Sequence, residues 1–263
     1  MDYFVHPDSV VRRIWSKADT VLFIFAGSAA EFALNKAVDW LYFTGKLPAD
    51  PLGRLFSTVE YARRIVFAER VAAEHAIDTI VSIHAAVEAK RGMSIPDWAY
   101  RDVLFMLTAY SISVFEAIER PLTAAEKEEI VDVFYRMGRR MGIPEVPATY
   151  AAWQKARQAH LEQDLVVSAY TTDLYRQYRR HLGAFRYELV RQAQRFVTPP
   201  RVRELLGLSG WSWLALALPL YRPTQHLALG RWARASLMPA SYRAQILALD
   251  GAPAAGRGRP VGA

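Results

Sequence analysis

Three residues within positions 50–87 have the types and spacing for chemistry at a metal or cofactor: Arg54, Thr58 and His84. Arg54 and Thr58, at i and i+4, project from one side of a helix and set a cation beside a hydroxyl. His84 has Ile77, Ile80, Val81 and Val87 at i−7, i−4, i−3 and i+3, so its helical face is an apolar stripe. Desolvation on such a stripe keeps an imidazole neutral, which is the state that ligates a metal. The same placement suits a hydrogen-bonded core histidine, and residue type alone leaves both readings open. His75 lies half a turn around the helix from His84, so the two cannot share a metal, and His75 reads as structural or exposed.

These residues must be positioned by helices. Residues 52–91 contain no proline and only one glycine, Gly53, and Asp50 before Pro51 is a good N-cap with proline at the first helical position. On a straight helix Thr58 and His84 would stand roughly 39 Å apart, whereas lining one pocket allows roughly 10 Å. The chain must therefore bend or reverse between them.

Elsewhere the pattern is also helical. Residues 10–15 form a short lead-in, and Asp19 or Thr20 is positioned to cap an interior helix over 21–40. Residues 98–119 are strongly apolar, and Phe105, Met106, Tyr110 and Phe115 suit both a core and the wall of a pocket. Thr123-Ala124-Ala125-Glu126 is a capping box for a helix reaching about Met141. A long polar helix is expected from Thr149 to about Ala169, joining a helical run over 172–196. Lys155, Arg157, Glu162, Arg176, Arg179 and Arg180 are expected on a solvated face, because basic residues alternate with Glu162, Asp164 and Asp173. After Pro199-Pro200, the run PRVRELLGL opens a short helix.

Residues 211–220, WSWLALALPL, are too few to span a bilayer and suit either a core helix or a segment dipping into a membrane interface. No sustained period-two pattern is present, so the class is all-α: a single multi-helix bundle over 1–248, with a Gly/Pro/Ala/Arg tail over 249–263 expected to be disordered.

Composition excludes several chemistries. With 263 residues, 52% hydrophobic and 22% charged, the chain can bury a sizeable core. It has no cysteine, which rules out thiolate-ligated haem, iron–sulfur clusters, cysteine zinc sites and disulfides. The net charge of +7 and pI of about 9.7 fit an anionic membrane surface, a nucleic acid or an arginine-rich composition. No helix-turn-helix signature or aromatic-interleaved basic patch supports nucleic acid. Neither a P-loop, a Rossmann fingerprint, a nucleophile elbow nor an HExxH motif occurs. The N-terminal residues lack the pattern of a secretory signal, which leads to an expectation of a cytoplasmic or peripheral membrane protein.

The run Asp50-Pro51-Leu52-Gly53-Arg54-Leu55 with Thr58 resembles the DPxGRLxxT signature of the haem-dependent family of latex-clearing rubber oxygenases and the mycophenolic-acid-pathway oxygenase MpaB. His84-Ala85-Ala86-Val87 resembles the family's HxxV. Arg120-Pro121-Leu122-Thr123, then Met141-Gly142-Ile143-Pro144 and Val146-Pro147-Ala148-Thr149, follow its RPLTxxE…GRxxGxPxxVPxT rhythm, and PRVRELLGL resembles its PxxxRxxLGL.

The likeness spans roughly residues 20 to 245. It implies haem b with His84 as axial ligand of the iron, its other ring nitrogen bonded to a carbonyl or carboxylate. It further implies Thr58 as hydrogen-bond donor to O2, and Arg54 as partner of a haem propionate or organiser of the distal side. The implied reaction is oxidation or cleavage of a C=C bond in an apolar, isoprenoid-like substrate. The resemblance also implies that the break between Thr58 and His84 falls at residues 67–69, Phe67-Ala68-Glu69, where members often have glycine. The chain departs from the family at two places: Ser57 replaces the lysine that rubber oxygenases carry before the threonine, and Ala68 stands in place of that glycine. Two other readings remain: a haem-binding helical protein without turnover, and a cofactor-free basic module for a membrane surface or nucleic acid.

Overall fold

The computed structural model describes residues 2–45, 49–221, 244 and 249. Among them are eleven helices and no strand, only the isolated bridges Tyr3 with Glu69 and Asn35 with Leu165. The helices are α1 (Val10–Trp15), α2 (Ala18–Phe32), α3 (Asp39–Phe43), α4 (Pro51–Phe67), α5 (Arg70–Arg91) and α6 (Asp97–Ile118), then α7 (Ala124–Arg140), α8 (Tyr150–Gln163), α9 (Ala169–Val197), α10 (Pro200–Leu205) and α11 (Leu214–Tyr221).

The bundle is built on α2 and α6, whose side chains are buried on several sides. They approach closely because α2 presents Gly27 to the ring of Tyr110: a Cβ on Gly27 would stand 2.4 Å from that ring. Around this pair, α1, α4, α5 and α7 complete one core that includes Trp15, Ile65, Ile77, Val114 and Ile130.

The expected break between Arg54 and His84 falls at Ala68 and Glu69. Both residues are extended, with ψ 162° and 155°. No glycine is needed, because any residue adopts this conformation. The backbone groups freed by the break are taken up by the N-terminal segment. Tyr3 bridges Glu69, and the Arg70 amide donates to the Asp2 carbonyl at 2.8 Å.

Several expectations require correction. The helix foreseen over 21–40 begins at Ala18 without a side-chain cap from Asp19 or Thr20, and it stops at Phe32. Asn35 interrupts it: its side chain accepts from the Ala37 amide at 2.8 Å and donates to Asp102 at 3.0 Å. The helix from Thr149 ends at Gln163, and a new one starts behind the Ser168 cap, which accepts from the Thr171 amide. Arg157, foreseen on a solvated face, is buried at 6% exposure. Trp211 and Trp213 are exposed, which removes the core-helix reading for these two side chains. The 249–263 tail lies outside the described residues apart from Leu249, which is buried and whose carbonyl accepts from Arg63 at 2.6 Å.

Candidate functional site

The Asp50 side chain caps α4 through the Gly53 amide at 2.8 Å, with Pro51 in the first turn, and so fixes where Arg54 leaves the helix. Arg54 is half-buried, and burial lowers its pKa below the ordinary guanidinium value. Its Nη1 reaches Ser57 Oγ at 3.3 Å, and no carboxylate pairs with it among the described residues. The hydroxyls of Ser57 and Thr58 both donate back to the Arg54 carbonyl, at 2.8 and 3.1 Å. As α4 stands, the Thr58 proton is therefore committed to its own helix.

His84 lies midway along α5, half-buried, with its ring tilted against that of Tyr100 at 5.1 Å between centroids. Its Nδ1 is sealed from solvent and has no hydrogen-bond partner. The pKa falls to about 4, chiefly through burial and then through the positive charge of Arg54, with Glu88 acting weakly the other way. Arg54 and His84 are thus close enough to feel each other across the break, as the bend between α4 and α5 requires. The structure gives no contact between Thr58 and His84. The carbonyl or carboxylate expected on the ring's other nitrogen is not seen either: Glu88 Oε1 is occupied by the Ile95 amide at 2.7 Å and the Tyr100 hydroxyl at 3.1 Å.

A buried neutral imidazole with an unsatisfied nitrogen costs about 1–3 kcal/mol unless something engages it. A half-buried guanidinium lacking an anion is costly for the same reason. The residue types are ones a haem uses, since haem iron takes an imidazole and haem propionates take a guanidinium. Phe105, Met106, Tyr110 and Phe115, which suited both a core and a pocket wall, are buried in the core, and the structure gives none of them a contact with His84. Tyr100, which sequence reasoning did not single out, is the aromatic residue beside His84. His75 is exposed, as expected.

A second cluster was not foreseen. Glu31 on α2 is fully buried and pairs with both guanidinium nitrogens of Arg157 on α8. Tyr110 donates to the same carboxylate at 2.9 Å. His160, one turn beyond Arg157, places Nε2 3.0 Å from Glu31 and Nδ1 2.7 Å from Asp102, with Asp164 at 3.4 Å.

Asp102, His160 and Asp164 converge within 4.8 Å, close enough in principle for a metal ion. Burial by itself would lower the His160 pKa, but its bonds to Asp102 and Glu31 outweigh that and raise it to about 9. Both ring nitrogens therefore carry protons at neutral pH and offer no lone pair. With Arg157 alongside, the cluster forms a buried charge network. Its sequence signal was a carboxylate inside each of two apolar helices, Glu31 and Asp102.

Two pockets near the N-terminus touch neither cluster. One of about 680 Å³ is lined by Tyr3, Phe4, Arg70 and Arg136 among others, and one of about 350 Å³ by Arg13, Lys17, Phe115 and Arg120 among others.

No curated protein and no solved structure gives a significant match to the chain. One family model matches residues 15–235, which contain Arg54, Thr58, His84 and the whole charge network. Its description is "ER-bound oxygenase mpaB/B'/Rubber oxygenase, catalytic domain". The match covers most of the chain, and the chain therefore belongs to the mpaB/rubber-oxygenase family of oxygenase catalytic domains.

Proposed function

We propose that the chain is a haem b-dependent oxygenase that uses O2 to oxidise or cleave a C=C bond of an apolar, isoprenoid-like substrate, with His84 as axial ligand. The observation that carries this reading is the unsatisfied, neutral His84 beside the unpaired Arg54, in a chain whose family is that of an oxygenase. When bound, the haem supplies the oxidative chemistry. The chain's own residues bind and orient it. His84 offers an imidazole that burial keeps unprotonated through the neutral range. Tyr100, anchored by Glu88, limits the ring's rotation. Arg54 provides a charge-assisted partner for a propionate. Thr58 can donate to a ligand only after its hydroxyl leaves the Arg54 carbonyl, with Ser57 still satisfying that carbonyl.

The test is the absorption spectrum of the protein purified with haem available, beside that of His84→Ala. A Soret band that the variant loses or shifts supports haem ligation by His84, and an alkene-cleavage assay on the haem-loaded protein then separates an oxygenase from a non-catalytic haem binder. If the wild-type protein takes up no haem, the reading fails. A band identical in both proteins sinks the assignment of His84.

A further inference from the structure

We propose that the side of the molecule formed by the middle of α9 and the segment leading into α11 docks on an anionic lipid surface. This is independent of the haem reading. Residues 211–213 lie against α9, where Ser212 Oγ donates to the Gln192 carbonyl at 2.9 Å. The serine faces inward at 5% exposure, so its neighbours Trp211 and Trp213 face outward, at 61% and 44%, with Leu216 at 67%.

Phe185 is 71% exposed on α9. It is two turns, roughly 10 Å, before Gln192 and on the same side of the helix. Just before it, Gly183 has φ 74°, a left-handed kink that interrupts α9 and sets the direction in which the following turn projects. Exposed aromatic side chains gathered along one stretch of a fold mark an interaction surface.

The charge of the chain, +7 overall, selects the partner. Arg179 and Arg180, exposed one turn before the kink, have no carboxylate partner among the described residues. The acidic residues nearby are already engaged, Asp173 with Arg176 and Glu188 with Arg195. Exposed tryptophan and phenylalanine, with free arginines on the preceding turn of α9, suit the headgroup boundary of a bilayer, where the rings enter the interface and the cations meet anionic headgroups. No described helix is long and apolar enough to cross a membrane, so the contact would be made at the surface.

The experiment sediments the full chain with vesicles of phosphatidylcholine alone and of phosphatidylcholine mixed with phosphatidylserine, at low and high salt, while following tryptophan emission. The expected result is binding to the mixed vesicles only, weakened by salt and accompanied by a blue shift. Trp211→Ser/Trp213→Ser and Arg179→Glu/Arg180→Glu should each lower it about tenfold or more. Val71→Ser, which removes an 81%-exposed apolar side chain on α5, should leave it unchanged. All these positions are exposed, and circular dichroism checks that the fold is retained.

Three results would overturn the proposal: no vesicle binding, binding that both double variants retain, or a lipid-free dimer that the tryptophan variants dissolve. Binding to DNA that the arginine variants alone abolish would assign the surface to nucleic acid instead.

Discussion

His84 and His160 carry the same imidazole, and their surroundings drive it in opposite directions. His84 is desolvated, lies near the cation of Arg54 and has no partner on Nδ1, so it is held neutral. His160 meets two buried carboxylates and is held protonated. The contrast separates a neutral ring from a charged one. It also predicts opposite consequences for the two arginines. Arg54→Met removes a cation with no anion, so the haem-free chain should keep its stability or gain up to about 1 kcal/mol, while haem affinity falls. Arg157→Met leaves Glu31 charged and buried without its main partner, which should cost about 3–5 kcal/mol. Urea unfolding of both variants together with haem titration of Arg54→Met checks the pair. A large loss of stability in Arg54→Met would mean that Arg54 has a structural partner and is not awaiting an anion.

At the level of elements, spacing made α4, α5, α6 and α7 legible, because caps and glycines carry their own chemistry: Asp50-Pro51, Gly92 with φ 69°, and the Thr123/Glu126 box all stand where the sequence places them. The need for a break followed from distance, and its place at residues 67–69 from the family resemblance. Its stabilisation did not, because the partners are Asp2 and Tyr3, far away in sequence. The interruption after Phe32 was illegible for the same reason: Asn35 stops the helix by bonding Asp102 on α6. Arg157 reads as surface until Glu31 is placed opposite it.

Gly27 is a further case, since helix propensity alone favours alanine there by about 1 kcal/mol. In the bundle a methyl group would strike the Tyr110 ring, which cannot swing away because its hydroxyl is bonded to Glu31 and it is fully buried. Gly27→Ala should therefore destabilise the protein by about 1–3 kcal/mol. A thermal melt in which Gly27→Ala matches or exceeds the wild type would show that α2 and α6 are less tightly seated than their geometry indicates.

Across the whole molecule, the charge network joins α2, α6, α8 and the turn carrying Asn35, so its protonation bears on the stability of the entire bundle. Glu31 is held down to about 2 against an ordinary 4.5, because Arg157 and His160 overcome the opposing effect of burial. Its stabilising contribution is complete above 4.5 and is lost as pH falls through about 2. His160 works in the other sense. Raised to about 9 from 6.5, it contributes fully below about 6.5 and is lost as pH rises through 9.

The two windows overlap between about 4.5 and 6.5, where the network is most stabilising. Urea unfolding should show the wild type losing on the order of 2 kcal/mol between pH 6 and pH 9.5. His160→Gln, less stable at pH 6, should lose distinctly less over the same interval, because it has no proton to release there. Parallel pH profiles in the two proteins would mean that His160 is neutral in the folded state. Its two carboxylate contacts would then need one of the acids, Asp102 first because burial already raises its pKa, to carry the shared proton instead.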